Sequence, residues 1–88
     1  MKHKADFMMR NIGGAHLLVP FGGEVKDLNG FITLNDTAAC VWELLANERS
    51  LDELALGVAE RFDVAASTAR DDVRTFVDEM VRLGTLEP

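Results

Sequence analysis

The second half of the chain constrains the fold most, because it carries three amphipathic helical patterns in succession. Within residues 34–86, apolar side chains recur at helical spacing in three segments. Asn35 stands where its side chain caps the first helix, and Ser50 with Glu53 forms a capping box for the second. Gly84 follows the third pattern as a typical C-terminal stop. The sequence therefore predicts a compact group of three helices.

Each predicted helix has one apolar face that is expected to contribute to a shared core. The predicted core positions are Ala38, Val41, Trp42 and Leu45 in the first helix; Leu51, Leu54, Ala55, Val58, Ala59 and Phe62 in the second; and Ala69, Val73, Phe76, Met80 and Leu83 in the third, which is expected to run from about residue 66 to residue 83.

The first third of the chain is strand-like. Residues 7–10, 16–19 and 31–34 are short runs rich in apolar or β-branched side chains, and Gly13-Gly14 separates the first two. A further run lies at residues 24–28, and Asn29-Gly30 between it and the run at 31–34 predicts a hairpin turn. Together with the helices, these runs predict an α+β fold that resembles a small winged helix-turn-helix domain. An N-terminal three-stranded antiparallel sheet is followed by three helices.

Length and charge limit the possible functions. The 88 residues predict one domain over residues 1–88, with residues 1–6 as a flexible terminus. A net charge of −6 disfavours nucleic acid and anionic membranes as partners. The chain has one cysteine, Cys40, and no apolar run long enough to cross a membrane, so a cytoplasmic location is expected.

The residue types that support catalysis are sparse. Cys40 has no histidine near it in sequence and is interpreted as a small, partly buried hydrophobic residue. His3 and His16 do not have the spacing of a metal site. The glycine pairs at 13–14 and 22–23 lack the following Lys or helix start of a phosphate-binding loop. We therefore expect no enzymatic activity, no cofactor and no metal.

The ordered set of motifs resembles the PqqD family. The resemblance extends over about residues 14–88, and the set is more specific than any single motif. The motifs are Leu34-Asn35-x-Thr37-Ala38, Val41-Trp42-Glu43-Leu44-Leu45, Ser50-Leu51-x-Glu53-Leu54, Arg61-Phe62-Asp63-Val64, Asp71-Asp72-Val73, Phe76-Val77-x-Glu79-Met80 and Leu83-Gly84-Thr85-Leu86.

This resemblance implies a peptide chaperone, also called a RiPP recognition element. Such a domain binds the leader of a ribosomally made precursor peptide and presents it to a modifying enzyme, often a radical SAM protein. The leader is expected to add beside the strand at 31–34 and to pack on the helix at 66–83. The implied pathway is coenzyme PQQ biosynthesis or a related one. A related pathway stays open because residues 17–23 lack the Glu that PQQ-specific members usually carry after the Pro.

One flank of the third helix favours a peptide site independently. Val77 and Val81 lie beside the core face together with Arg70 and Arg74, while Asp72, Thr75 and Glu79 lie on the opposite flank. Two aliphatic side chains bordered by guanidinium groups suit a peptide with apolar anchors and nearby acids. The alternative is that both valines only widen the core contact. The expected peptide-binding residues are Phe31, Ile32, Thr33, Arg70, Arg74, Val77 and Val81.

Two other functions compete with this interpretation. A winged helix is a common DNA-binding fold, which makes a DNA-binding regulator possible, although the acidic residues of the third helix outnumber its arginines. An open strand edge at 31–34 would also allow self-association, so an interaction domain and a homodimer remain alternatives.

Overall fold

The computed structural model describes residues 1–20 and 31–87. Its strands are β1 (Lys2–His3), β2 (Phe7–Ile12), β3 (Ala15–Pro20), β4 (Ile32–Leu34) and β5 (Leu86–Glu87), and its helices are α1 (Asp36–Leu44), α2 (Leu51–Phe62) and α3 (Ala66–Arg82). The predicted run at 24–28, the predicted turn at Asn29-Gly30, and residues 21–23 of the stretch that departs from PQQ-specific members lie outside the described residues.

The predicted three-stranded antiparallel sheet is confirmed, with strand order β2-β3-β4. Gly13 and Gly14 join β2 to β3 with φ values of 59° and 83°, a two-residue turn that needs positive φ at both positions. On the other side of β3, Leu17 is opposite Thr33 and Leu18 is opposite Ile32. This register places the fully buried Leu18 against the helices.

The helix ends follow the predicted signals. Asn35 accepts a hydrogen bond from the Ala38 amide at 2.8 Å, and the reciprocal bonds of the Ser50–Glu53 capping box are both formed. Gly84 adopts a φ of 78° after α3, which lets the chain reverse there. Local side-chain chemistry thus caps the starts of α1 and α2, whereas Ala65 before α3 provides no side-chain cap.

The core lies between the sheet and the helices. The predicted apolar faces supply most of it, although Leu51, Ala59, Phe62, Phe76 and Leu83 are only partly buried. Its buried members are Phe7, Leu18, Leu34, Ala38, Cys40, Val41, Trp42, Leu45, Leu54, Val58, Ala69, Val73, Val77, Met80 and Leu86.

The two ends of the chain meet in a second, smaller sheet. The sequence predicts a flexible terminus at residues 1–6, whereas in the structure β1 pairs with β5. The His3 ring stacks on Trp42, with ring centroids 4.5 Å apart, and Phe7 meets the same indole edge-on at 6.4 Å. These contacts join the N-terminal segment to the helical core.

Candidate functional site

A cleft of about 530 Å³ lies between β4 and α3. Its strand side and the start of α1 contribute Ile32, Thr33, Leu34, Asn35, Thr37 and Ala38, and its helix side contributes Asp72, Thr75, Phe76, Glu79, Met80 and Leu83.

The strand side of the cleft is a sheet edge. β4 pairs with β3 on one side and has no second partner among the described strands. No residue of β3 lines the cleft, which places the cleft on the unpaired side of β4. Backbone N–H and C=O groups along such an edge are available to another extended chain. The cleft therefore combines a strand edge that no other described strand occupies with helix side chains.

The helix side of the cleft is a strip along one flank of α3. Residues 72, 75, 76, 79, 80 and 83 recur every three or four positions, so they follow a single line along the helix. Met80 is buried, whereas Phe76 and Leu83 are partly buried and pack against the core while they border the cleft. Phe76 and Leu83 thus offer apolar surface to a molecule that enters.

The charge of the cleft is acidic. Asp72 and Glu79 are the charged residues of its lining, which contains no lysine, arginine or histidine among the described residues. Glu79 receives a hydrogen bond from Arg82 Nε at 3.2 Å, whereas Asp72 forms no ion pair with residues 1–20 or 31–87. Within the described part of the chain, no cationic side chain therefore neutralises Asp72 by an ion pair.

The strand residues of the predicted site are well placed. Ile32 and Thr33 line the cleft, with Ile32 partly buried and Thr33 exposed. Phe31 precedes β4 and is 60 % exposed, although it is not part of the lining. The structure therefore brings two of these three residues into the cleft.

The helix residues of the predicted site lie elsewhere. Arg70, Arg74, Val77 and Val81 do not line the cleft, because the flank that faces β4 is the opposite one. The exposed guanidinium of Arg70 forms an ion pair with Asp52 of α2. Val77 is only 7 % exposed and belongs to the core, while Val81 is 58 % exposed.

The flank that lines the cleft was visible in the sequence as Asp72, Thr75 and Glu79. The periodicity of α3 identifies its core face and both flanks, but it does not indicate which flank faces the sheet. That choice depends on how α3 lies against β4, which is a tertiary property. The sequence contains Asp72, Thr75 and Glu79, but it carries no signal that favours their flank over the opposite flank as the one that lines the cleft.

Cys40 lies at a different place, between α1 and α2. It is 4 % exposed, and burial raises the pKa of its thiol while Arg61 acts in the opposite direction. A protonated, shielded thiol is a poor nucleophile. Within the described part of the chain, no group of three His, Cys, Asp or Glu side chains is placed to hold a metal ion.

Among the described residues, no helix is both long and apolar enough to span a membrane.

Known proteins resemble this chain in sequence and in fold. The chain is 39 % identical over 49 residues to a protein of Rhizobium meliloti (strain 1021) named "PqqA binding protein", and the alignment covers 56 % of this chain and 50 % of that relative. The chain thus matches about half the length of this relative.

A solved structure shares the fold. It is entitled "TbiB1 in Complex with the TbiA(beta) Leader Peptide" and superposes with a TM-score of 0.76 at 18 % identity, covering 99 % of this chain and 95 % of that chain. The family described as "Coenzyme PQQ synthesis protein D (PqqD)" matches residues 16–86. Because this match includes β3, β4, all three helices and the cleft between them, the chain belongs to the PqqD family.

Proposed function

We propose that this protein is a non-catalytic peptide chaperone that binds the leader segment of a ribosomally made precursor peptide. The leader lies in the cleft as an added strand on β4 and contacts the flank of α3 that carries Thr75 and Phe76. The observation that carries this proposal is an edge of β4 that no other described strand occupies, which lies across a cleft of about 530 Å³ from a partly apolar strip of α3. An edge of this kind recognises a peptide through its backbone.

The proposed partners follow from the family and from the named relatives. One relative is named for binding PqqA, and the structure that shares the fold is entitled as a complex with a leader peptide. We carry this over as binding of PqqA or of a related precursor leader. The complex would then deliver the leader to a modifying enzyme, a radical SAM protein in our proposal, in the cytoplasm.

The expected affinity is weak. A few added strand hydrogen bonds contribute about 1 kcal/mol each, and burial of two apolar anchors contributes about 2 kcal/mol each. Ordering a flexible leader costs about 2–5 kcal/mol, and association costs more. The balance of these contacts alone corresponds to a dissociation constant of about millimolar or weaker, so tighter binding would need better anchors or a partly preordered leader.

The charges of α3 favour a peptide over DNA. Arg70 and Arg82 are held by Asp52 and Glu79, so two of the helix's three arginines are already neutralised locally. A DNA-reading helix needs a basic stripe. Duplex DNA therefore serves as a negative control in the binding experiment.

The test uses two matched variants of adjacent residues on α3. Thr75→Trp fills the cleft from an exposed position, and Arg74→Trp places the same bulk outside the lining. Each ¹⁵N-labelled protein is titrated with a synthetic PqqA peptide and with any short precursor encoded beside its gene. Amide chemical shifts report both the affinity and the location of binding.

We expect wild-type protein and Arg74→Trp to bind with shifts concentrated on β4 and the cleft flank of α3. Thr75→Trp should bind at least about tenfold more weakly, which corresponds to about 1.4 kcal/mol. Binding that survives in Thr75→Trp, shifts located on the α2 side of α3, or shifts induced by duplex DNA alone would each contradict the proposal.

A further inference from the structure

We infer that the cleft selects a leader segment with a lysine or arginine at one end and apolar anchors beside it. This inference rests on the proposed function and specifies the peptide that the same cleft accepts. It reverses the charge preference that Arg70 and Arg74 suggest from the sequence, because neither lines the cleft.

The acidic residues of the cleft are not equivalent. Glu79 is engaged by Arg82, three positions further along α3. Asp72 lines the cleft without an ion-pair partner among the described residues. Among the described residues, the acidic side chain of the lining that lacks a cationic partner therefore lies at the N-terminal end of the strip, which is where a basic side chain would gain most.

The apolar part of the strip continues from that carboxylate. Phe76 follows Asp72 by four residues, a rise of about 6 Å along the helix. Met80 and Leu83 extend the apolar surface toward the C-terminal end of α3. The carboxylate without a described cationic partner thus lies at one end of the cleft, and the rest of the strip is apolar apart from Thr75 and the Arg82-paired Glu79. A bound segment should show the complementary change.

The lengths of helix and strand set the spacing in the peptide. The lining strip from Asp72 to Leu83 rises about 16 Å, which about five residues of extended chain would span. Alternate side chains of a strand face the same way and are about 6.6 Å apart, close to the 6 Å between successive contacts on α3. The expected pattern is a basic residue with apolar residues two and four positions away, in either chain direction.

The probes are short synthetic peptides of alternating threonine and leucine that carry Lys, Gln or Glu at the charged position, prepared in both chain directions. Binding is followed by amide chemical shifts of the ¹⁵N-labelled chain, which detect weak complexes and locate them. Asp72→Asn removes the carboxylate of the cleft. Asp71→Asn makes the same change at the neighbouring exposed position outside the lining, so it controls for net charge.

We expect the Lys peptide to bind in the cleft about two- to fivefold more tightly than the Gln peptide, with the Glu peptide weakest and the differences smaller at high salt. Asp72→Asn should remove the advantage of Lys over Gln, while Asp71→Asn should retain it. Equal or tighter binding of the Glu peptide at β4 and α3 would overturn the charge preference and leave the peptide cleft standing.

Equal losses in Asp71→Asn and Asp72→Asn would also overturn the inference, because the preference would then come from net charge alone. If none of the peptides shifts residues of β4 or of the cleft flank of α3, both this inference and the proposed function fail.

Discussion

The two sides of α3 carry similar kinds of residue and have different surroundings. On the side that faces α2, Val77 is buried and Arg70 forms an ion pair with Asp52. On the side that faces β4, Phe76 and Thr75 border an open cleft. One side is occupied by the protein's own helix, and the other leaves a strand edge beside a partly apolar surface.

This difference shows that amphipathicity alone does not locate a binding surface. In the sequence, valines next to arginines suggest a peptide site. In the structure, Val77 belongs to the core, Arg70 pairs with α2, and Val81 is exposed outside the cleft. A threonine between two carboxylates looks like a solvated flank, yet it borders the cleft. The packing partner on each side, rather than composition, determines which flank is available.

The largest difference between variants on α3 is expected when a charge is placed at Val77. Val77→Asp should destabilise the fold by about 3 kcal/mol or more, because an unpaired carboxylate would be buried in the core. Val81→Asp, one turn later and 58 % exposed, should change the free energy of unfolding by less than about 0.5 kcal/mol. Urea denaturation of both variants measures the difference. Equal, small effects would place Val77 on the surface.

A second prediction concerns how tightly the helical side is packed. A Cβ atom at Gly57 would lie 2.7 Å from Leu44 Cδ1, so α2 approaches α1 closely there. Gly57→Ala should be nearly neutral, because the helix gain of about 1 kcal/mol is offset by displacement of Leu44.

In a Leu44→Ala background the same Gly57→Ala change should stabilise the protein by about 1 kcal/mol, since the obstructing side chain is gone. A double-mutant cycle of urea denaturation gives this coupling. Strictly additive free energies would show that the two helices are not in close contact at Gly57.

The smallest expected effect is at the ion pair between α2 and α3. Arg70→Gln removes the partner of Asp52, and both side chains are largely exposed. The loss of stability should therefore be less than about 1 kcal/mol and should shrink as salt is added. Peptide affinity should stay unchanged in the titration described above. A loss of binding in this variant would return the α2-facing flank to the peptide site.

Local chemistry in the sequence predicted the starts of α1 and α2, the end of α3 and the turn between β2 and β3. Asn35, the Ser50–Glu53 pair and Gly84 act on their own neighbours, so their roles can be derived without tertiary information. Gly13-Gly14 is a similar case, because two positive φ values define the turn by themselves.

Features that depend on distant residues were predicted less completely. The pairing of β1 with β5 and the stacking of His3 on Trp42 join segments that are far apart in the chain. Local sequence patterns do not predict such contacts. The flank of α3 that faces β4 belongs to the same class. For the candidate site, the sequence therefore indicated the strand and the helix, while the fold determined which helix side chains meet the cleft.

In the proposed complex, a leader backbone pairs with the edge of β4 that no other described strand occupies. Amide hydrogen exchange of residues 32–34, measured with and without a saturating leader peptide, is the decisive test of this pairing. We expect the amides of β4 that face the cleft to exchange more slowly in the complex, while the exposed residues of α2 are unchanged. Peptide binding that leaves exchange throughout β4 unaltered would contradict strand addition.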